Sequence, residues 1–264
     1  MQTKRMRLRD SSSQLLLAVV IMLSMVPFVG YSQGNVVPQA PSLGPPERLY
    51  DVPGLGRFLL PDGDDVIQNY LKRGEIWEKA EQDQFERYVQ PTFVVIDAGA
   101  YVGSHTVKLA KLAYHGTVYA FEPQKLIYEI LQKTIQLNNL TNVKAFPYAL
   151  GERACLTHFA SVNPKNYGAA RVTGCDNVPS TDAVETRTID SFDIQRVDFM
   201  KIDVEGSELR VLEGALKTIA RHKPVLVIEI DSADRTLTLE KLGLLDYEWE
   251  EYRPRNFVAR PKTD

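Results

Sequence analysis

The sequence contains little of what builds disulfide-rich or metal-rich domains. It has 2 cysteines and 4 histidines among 264 residues. Cys155 and Cys175 could pair, but two cysteines do not make a disulfide framework. Asp203, Glu205 and Glu229 could converge, yet no histidine is clustered with them along the chain, so no metal site is predicted.

Positive charge and sequence repetition are scarce as well. The formal net charge is -3 and no long lysine or arginine run follows the first ten residues. Nucleic-acid partners are therefore not expected, because binding to phosphates requires a basic surface. No internal repeat is evident, which excludes a solenoid.

The sequence has one extended apolar run, which is short and lies near the N-terminus. Lys4, Arg5, Arg7 and Arg9 precede an apolar run over residues 15–29. A basic segment followed by a short apolar run is typical of a secretory signal or of an uncleaved signal anchor. Residues 1–32 are predicted to be one of the two. We therefore expect a secreted or membrane-anchored protein on the non-cytosolic side, with membrane contact through this segment if it is uncleaved.

The rest of the chain divides into a linker and a folded domain. Residues 33–56 are rich in proline and glycine, which predicts an extended linker. Residues 57–264 are predicted to fold. Within them, residues 64–74 and 75–89 show helical apolar spacing, with Gly74 between them as a helix stop.

An alternating pattern begins at about Thr92. Apolar strands such as FVVIDAG, TVYAFEP, VDFMKIDV and PVLVIEI alternate with amphipathic helices, and DYEWEEY with NFVAR suggests a terminal hairpin. Residues 151–188 look irregular. Strands and helices that alternate in this way predict an α/β fold with a parallel sheet covered on both faces. Ligands of such sheets bind at the carboxyl ends of the strands.

The first of these strand ends carries an acid before a glycine turn. Asp97 precedes Gly99, Tyr101 and Gly103, and Ser104 is a possible helix cap. A nicotinamide site wants G-x-G-x-x-G, whereas here Tyr101 replaces the middle glycine. A carboxylate at this place would repel a pyrophosphate but suits a cationic ligand such as S-adenosylmethionine.

Two later strand ends carry further acids. Glu122 follows the second strand, where a carboxylate can accept ribose hydroxyls. Lys201, Asp203 and Glu205 alternate with apolar residues, which predicts that their side chains share one face of the sheet. Charged groups inside an apolar strand are costly to bury unless they are paired, so these three are candidates for a functional site.

These segments together resemble the FkbM family of S-adenosylmethionine-dependent methyltransferases. The resemblance spans about residues 75–260 and is carried by VIDAGAYVGSHT, VYAFEP, IQLNNLTNV, TIDSF and FMKIDVEGSELRVLEGA. It implies a Rossmann-like class I methyltransferase fold: a seven-stranded, mostly parallel sheet with an antiparallel last strand.

The resemblance also implies site residues and a cofactor, S-adenosylmethionine. The implied cofactor-binding residues are Asp97, Gly99, Tyr101, Gly103, Glu122, Ala149, Leu150 and Asp203. The implied activity is O-methylation of a hydroxyl in a carbohydrate, glycan or natural product, with a small molecule or glycan as acceptor.

A carboxylate near the methyl group can accept the proton of the incoming hydroxyl. Asp203 is the first candidate and Glu205 the alternative, while His105 and His158 are weaker candidates for the base. Two other readings stay open at this point. One is a nicotinamide-dependent oxidoreductase, and the other is a membrane-tethered, non-catalytic module with a methyltransferase fold.

Overall fold

The computed structural model describes residues 46–163, 165–231 and 233–263. In chain order, the strands are β1 (Glu47–Val52), β2 (Gly56–Pro61), β3 (Val94–Ala98), β4 (Thr117–Phe121), β5 (Val143–Phe146), β6 (Ala149–Leu150), β7 (Cys155–Thr157), β8 (Phe159–Asn163), β9 (Asn166–Val172), β10 (Val184–Arg187), β11 (Phe199–Ile202), β12 (Val225–Glu229), β13 (Tyr247–Arg253) and β14 (Asn256–Pro261). The helices are α1 (Val66–Lys72), α2 (Lys79–Tyr88), α3 (Ser104–Leu112), α4 (Lys125–Leu137), α5 (Glu208–Glu213), α6 (Leu216–His222) and α7 (Arg235–Leu244). A 3-10 turn covers Ile189–Phe192.

Seven of these strands form the central sheet, in the order β13-β14-β12-β11-β3-β4-β5. The five strands from β12 to β5 are parallel, and β14 is antiparallel to β12. The predicted mostly parallel sheet with an antiparallel last strand is therefore confirmed, as is the terminal hairpin of β13 and β14. The connections reverse direction between β3 and β11, which makes this pair the topological switch point.

Helices cover the sheet on both faces, and the strands bury side chains alternately toward each. Ile96 and Met200 face an apolar cluster that includes residues of α5, α6 and α7. Val95 and Phe199 face the opposite cluster, which includes Phe85 of α2 and residues of α3. This explains why the core strands are continuously apolar in sequence. Asp97 and Lys201, each two residues further on, point to the α2–α3 face and are directly paired in register.

The last residues of the predicted linker are folded. Glu47–Val52 pairs with Gly56–Pro61 as a β-hairpin, and its buried Phe58 and Leu60 pack in the apolar cluster that contains residues of α1, α3 and α4. The hairpin is also tied to α4, since the Arg57 N–H donates to Asn138 Oδ1 at 2.9 Å. The prediction of a linker up to residue 56 is wrong for this part, because the apolar side chains among its glycines and prolines were enough to pack.

The region that looked irregular, 151–188, contains short strands. β8 and β9 form an antiparallel hairpin, and β10 joins β6 and β7 in a small sheet. Cys155 and Cys175 are bonded as a disulfide, with their Cα atoms 5.7 Å apart. The disulfide ties the small sheet to the segment that follows the hairpin.

The predicted signal or anchor segment, residues 1–32, lies outside the described residues, as does the first part of the predicted linker. Among the residues that the structure describes, no helix has the length and apolar character needed to cross a membrane.

Candidate active site

The turn after β3 packs closely against the loop that follows β11. Gly99 has φ +83°, and a Cβ at this position would overlap the carbonyl oxygen of Asp203 on the neighbouring loop. Only glycine can occupy such a crossing without displacing the other loop. Tyr101 also has a positive φ, of 51°, and its N–H turns toward Glu122.

A buried ion cluster lies directly below this turn. Lys201, only 1% exposed, donates from Nζ to the Gly99 carbonyl at 2.9 Å. Its Nζ lies 3.2 Å from Asp203 Oδ2 and 3.8 Å from Asp97 Oδ1. Burial alone would lower the pKa of Lys201, but the neighbouring carboxylates hold this pKa above its ordinary value. The lysine is therefore charged and fixes the acid ends of β3 and β11.

Asp97 is fully buried, whereas the sequence predicted that it would face a cationic ligand. Thr106 Oγ1 donates to Asp97 Oδ2 at 2.6 Å, while Oδ1 has no hydrogen-bond partner. Burial raises the pKa of Asp97, and Lys201 and Thr106 oppose that shift. The carboxylate thus supports Lys201 and the start of α3 from below.

Glu122, at the end of β4, is held by the backbone. Its Oε2 accepts the N–H of Tyr101 at 3.0 Å, and its Oε1 accepts the N–H of Gln124 at 2.8 Å. Burial raises the pKa of Glu122 to about 7, although these two donors oppose the shift. Each carboxylate oxygen keeps lone pairs that can still accept a ligand hydroxyl.

Glu205 leaves the predicted alternation. β11 ends at Ile202, and Glu205 has φ 52°, a left-handed conformation that is uncommon outside glycine. The expectation that Lys201, Asp203 and Glu205 share one face is therefore wrong for Glu205, although Lys201 and Asp203 do meet. Burial, together with the charges of Asp203 and Glu229, raises the pKa of Glu205 to about 7.

A cleft opens at the switch point, with about 600 Å³ of empty space that includes open solvent. Most of the predicted site residues lie along its wall: Gly99, Tyr101, Glu122, Ala149, Leu150, Asp203 and Glu205. No lysine, arginine or histidine is among the described residues that line it. The cleft is thus lined by three carboxylates and no cation, which suits a positively charged ligand.

Two predicted cofactor residues lie outside this wall. Asp97 lies beneath it, as described above. Gly103 packs against α4, because a Cβ there would come within 2.9 Å of Leu131 Cδ1. The glycine thus serves the packing of α3 against α4. Gly103, rather than Ser104, occupies the N-cap position of α3.

Other wall residues were missed by sequence reasoning. Phe159, Gly168, Ala170 and Val172 come from the β8–β9 hairpin and close one side of the cleft. They belong to no motif, so no signal in the sequence could have identified them.

The two candidate histidines lie away from the cleft wall. His105 is buried edge-on against Phe85, and burial lowers its pKa. His158 Nδ1 lies 2.8 Å from Asp176, and its Nε2 lies 2.9 Å from Ser180 Oγ. Neither histidine is placed to act on a ligand in the cleft.

The fold and this anionic cleft define a domain of the Rossmann-like methyltransferase class. A crystal structure described as methyltransferase FkbM from Methylobacillus flagellatus KT has the same fold, with a TM-score of 0.50 and 21% identity over 74% of this chain and 52% of that chain.

The family model described as the methyltransferase FkbM domain matches residues 97–247, more than half of the chain. The chain belongs to this family, which confirms the family predicted from the sequence. Two curated relatives are "Methyltransferase 1" of Beauveria bassiana, 25% identical, and "Methyltransferase sdnD" of Sordaria araneosa, 27% identical. Each match covers 46% of this chain, and 57% and 59% of the relatives, so the chain spans less than two thirds of their length.

Proposed function

We propose that this protein is an S-adenosylmethionine-dependent O-methyltransferase that acts on a hydroxyl of a carbohydrate, glycan or natural product. The observation that carries the proposal is the charge of the cleft. Glu122, Asp203 and Glu205 line it, and no basic side chain does among its described residues. A cationic nucleoside is stabilised by such a wall, whereas a pyrophosphate is repelled.

The residues of the wall fit the parts of this cofactor. Glu122 accepts the ribose hydroxyls, while the Gly99 turn and Asp203 receive the cationic methionine end. Ala149 and Leu150, both buried at the edge of the cleft, cover the adenine. When bound, S-adenosylmethionine supplies an activated methyl group, so the protein mainly aligns the acceptor and excludes water.

We assign the proton-accepting role to Glu205 rather than to Asp203. Asp203 is already engaged by Lys201 at 3.2 Å. The pKa of Glu205 is raised by burial to about 7, which suits a general base near neutral pH. As the acceptor oxygen bonds to the methyl carbon and the sulfur–carbon bond breaks, the hydroxyl proton passes to the Glu205 carboxylate.

The two rival readings make different predictions. A nicotinamide-dependent oxidoreductase binds a pyrophosphate, which the carboxylates of this wall would repel. A non-catalytic module would have no use for a buried lysine that pairs with Asp203 at the cleft. Both observations support the methyltransferase.

Calorimetry and labelling test the proposal. The full chain is titrated with S-adenosylmethionine and, separately, with NADH. We expect saturable binding of the first only, and at least tenfold weaker binding for Glu122→Gln. Glu240→Gln, an exposed carboxylate on α7, is the matched control and should bind as the wild type does. Binding of NADH instead, or equal affinity in Glu122→Gln, would remove the proposed cofactor site.

Methyl transfer is then measured with methyl-labelled S-adenosylmethionine and a panel of glycan and natural-product acceptors. We expect Glu205→Gln to weaken cofactor binding less than Glu122→Gln does, while its rate falls by roughly 10²–10⁴-fold. In the wild type the rate should rise with pH through about pH 7, as Glu205 loses its proton. A variant with an unchanged rate would exclude Glu205 as the base.

We also propose that the domain works on the non-cytosolic side of a membrane. The Cys155–Cys175 disulfide supports an oxidising compartment. This location requires that S-adenosylmethionine be imported from the cytosol. A protease-protection assay on sealed vesicles tests it, and digestion of the domain from the cytosolic side would overturn the location without affecting the chemistry.

A further inference from the structure

A second acidic cluster lies on the α2–α3 face of the sheet, outside the cleft wall. Glu78, Glu81 and His105 each offer one possible ligand atom, and these atoms all lie within 4.8 Å of one another. Glu78 is the N-cap residue of α2, Glu81 lies in the first turn of this helix, and His105 is the second residue of α3. The cluster therefore joins two helices that are separate in sequence.

Two atoms of the cluster are buried without a partner. Glu81 is 2% exposed and His105 is 5% exposed. Glu81 Oε2 and His105 Nε2 make no hydrogen bond. Native proteins rarely leave buried polar atoms unsatisfied, so such atoms call for a bound ion, a water or a proton as the missing partner.

Lys201 is a buried cation whose charge opposes the burial that raises the pKa of Glu81, but its hydrogen bond goes elsewhere. Lys201 donates to the Gly99 carbonyl at 2.9 Å and is paired with Asp203 and Asp97. Neither of these ion-pair partners belongs to the cluster, although the charge of Glu81 also helps to raise the pKa of Lys201.

Arg253 is a cationic neighbour of Glu78 at the edge of the cluster. Arg253 Nη1 lies 3.4 Å from Glu78 Oε1, and the arginine is partly exposed. This pair accounts for Glu78 Oε1 but leaves Glu81 Oε2 and His105 Nε2 without a hydrogen-bond partner.

We propose that Glu78, Glu81 and His105 form a binding site for a divalent transition-metal ion. One imidazole and two carboxylates suit zinc, manganese, iron or cobalt better than calcium or magnesium, which prefer oxygen ligands alone. Such ions lie about 2.0–2.2 Å from their ligand atoms. Ligand atoms in a tetrahedral site are then roughly 3.3–3.6 Å apart, so the observed spread needs only a small contraction of side chains.

The metal would join α2 to the start of α3, directly after the Gly99 turn. None of its three ligands lines the cleft, so the ion would not touch the reacting groups. Glu78 has a φ of 49°, in the left-handed region, and lies at the N-terminus of α2 next to the other ligands.

Metal titration of the full chain tests this inference, and it does not depend on the methyl acceptor. The protein is stripped with a chelator and titrated with Zn²⁺ and, separately, with Mn²⁺ by calorimetry. We expect one ion per chain and a higher melting temperature in its presence. Glu81→Gln should weaken binding at least tenfold and abolish the thermal shift.

Glu86→Gln is the matched control, because Glu86 lies on the exposed side of the same helix, where it pairs with Lys108. This variant should bind metal as the wild type does. If Glu81→Gln does not fold, Glu78→Gln, at the rim of the cluster, takes its place.

Three results would overturn the site: no stoichiometric binding of either ion, binding to Glu81→Gln and Glu78→Gln at wild-type affinity, or a Glu81→Gln variant that melts as the wild type does with and without metal. The last result would mean that a proton shared between the two carboxyl groups satisfies the cluster. Binding of S-adenosylmethionine by the stripped protein would fail or succeed independently of each of them.

Discussion

Replacement of Lys201 by methionine tests the buried ion cluster that supports the candidate active site. The change keeps an unbranched side chain of similar length but removes the charge and the hydrogen bond to the Gly99 carbonyl. Asp97, which is 0% exposed, would then keep only its bond from Thr106. Leaving one partner of a buried ion pair uncompensated typically costs about 3–5 kcal/mol.

The free energy of unfolding is measured by urea denaturation and by thermal melting. For a domain of this size, each kcal/mol corresponds to roughly 2–4 °C, so we expect the melting temperature to fall by roughly 6–20 °C. Lys79→Met is the matched control, because Lys79 is exposed and pairs with Asp83 one helical turn away. That variant should stay within about 0.5 kcal/mol of the wild type.

The expected pH dependence of Lys201→Met has a definite sign. Without the lysine, only the hydrogen bond from Thr106 opposes the burial that raises the pKa of Asp97. A group whose pKa is raised by folding contributes stability at low pH that is lost as the pH rises through its folded pKa. The gap between variant and wild type should therefore be wider at pH 8 than at pH 5.

The double variant Asp97→Asn/Lys201→Met separates charge from packing. With a neutral amide in place of the Asp97 carboxylate, no unpaired charge is buried. The double variant should therefore be more stable than Lys201→Met alone. If Lys201→Met loses less than about 1 kcal/mol, or if the two single effects simply add, the cluster is not the coupled unit described above.

The remaining predictions concern the cleft and its surroundings. Burial raises the pKa of Glu122 to about 7. The free energy of unfolding of the wild type, relative to that of Glu122→Gln, should therefore fall by on the order of 3 kcal/mol between about pH 4.5 and pH 7. Urea unfolding measures this difference, and a difference that stays constant with pH would contradict the prediction. Gly99→Ala should yield little soluble folded protein, because the added Cβ would overlap a backbone carbonyl. Gly63→Ala is the control and should fold normally, because its Cβ would meet open space. Equal melting temperatures of the two variants would refute the close packing of the two loops at Gly99. Removal of the disulfide in Cys155→Ser/Cys175→Ser, which frees a loop of about 20 residues, should cost about 3 kcal/mol in thermal unfolding, and a reductant should lower the melting temperature of the wild type but not of the variant.

The sequence by itself determined the sheet and its order of strands and helices. Continuous apolar strands that alternate with amphipathic helices can bury their side chains only as a parallel sheet covered on both faces. The same pattern fixed which residues end the strands. Asp97, Glu122 and Asp203 therefore had to meet at one edge, because the carboxyl ends of parallel strands lie together.

Only the tertiary structure decided which of these acids face the cleft. Asp97 lies beneath the wall, since its side chain points to the α2–α3 face and meets Lys201 and Thr106 there. Glu205 departs from the alternation because the chain turns into a left-handed conformation after β11 ends. Local sequence cannot fix such a turn, which depends on how the neighbouring loops pack.

Contacts between elements that are distant in sequence could not be predicted from the apolar pattern either. The β8–β9 hairpin forms a wall of the cleft without a motif, and the end of the predicted linker folds because apolar residues of α1, α3 and α4 are there to cover it. Glu81 and His105 are 24 positions apart and lie together only because α2 packs beside α3. Periodicity reports the face that each segment buries, while the partner of that face is set by the closure of the whole chain.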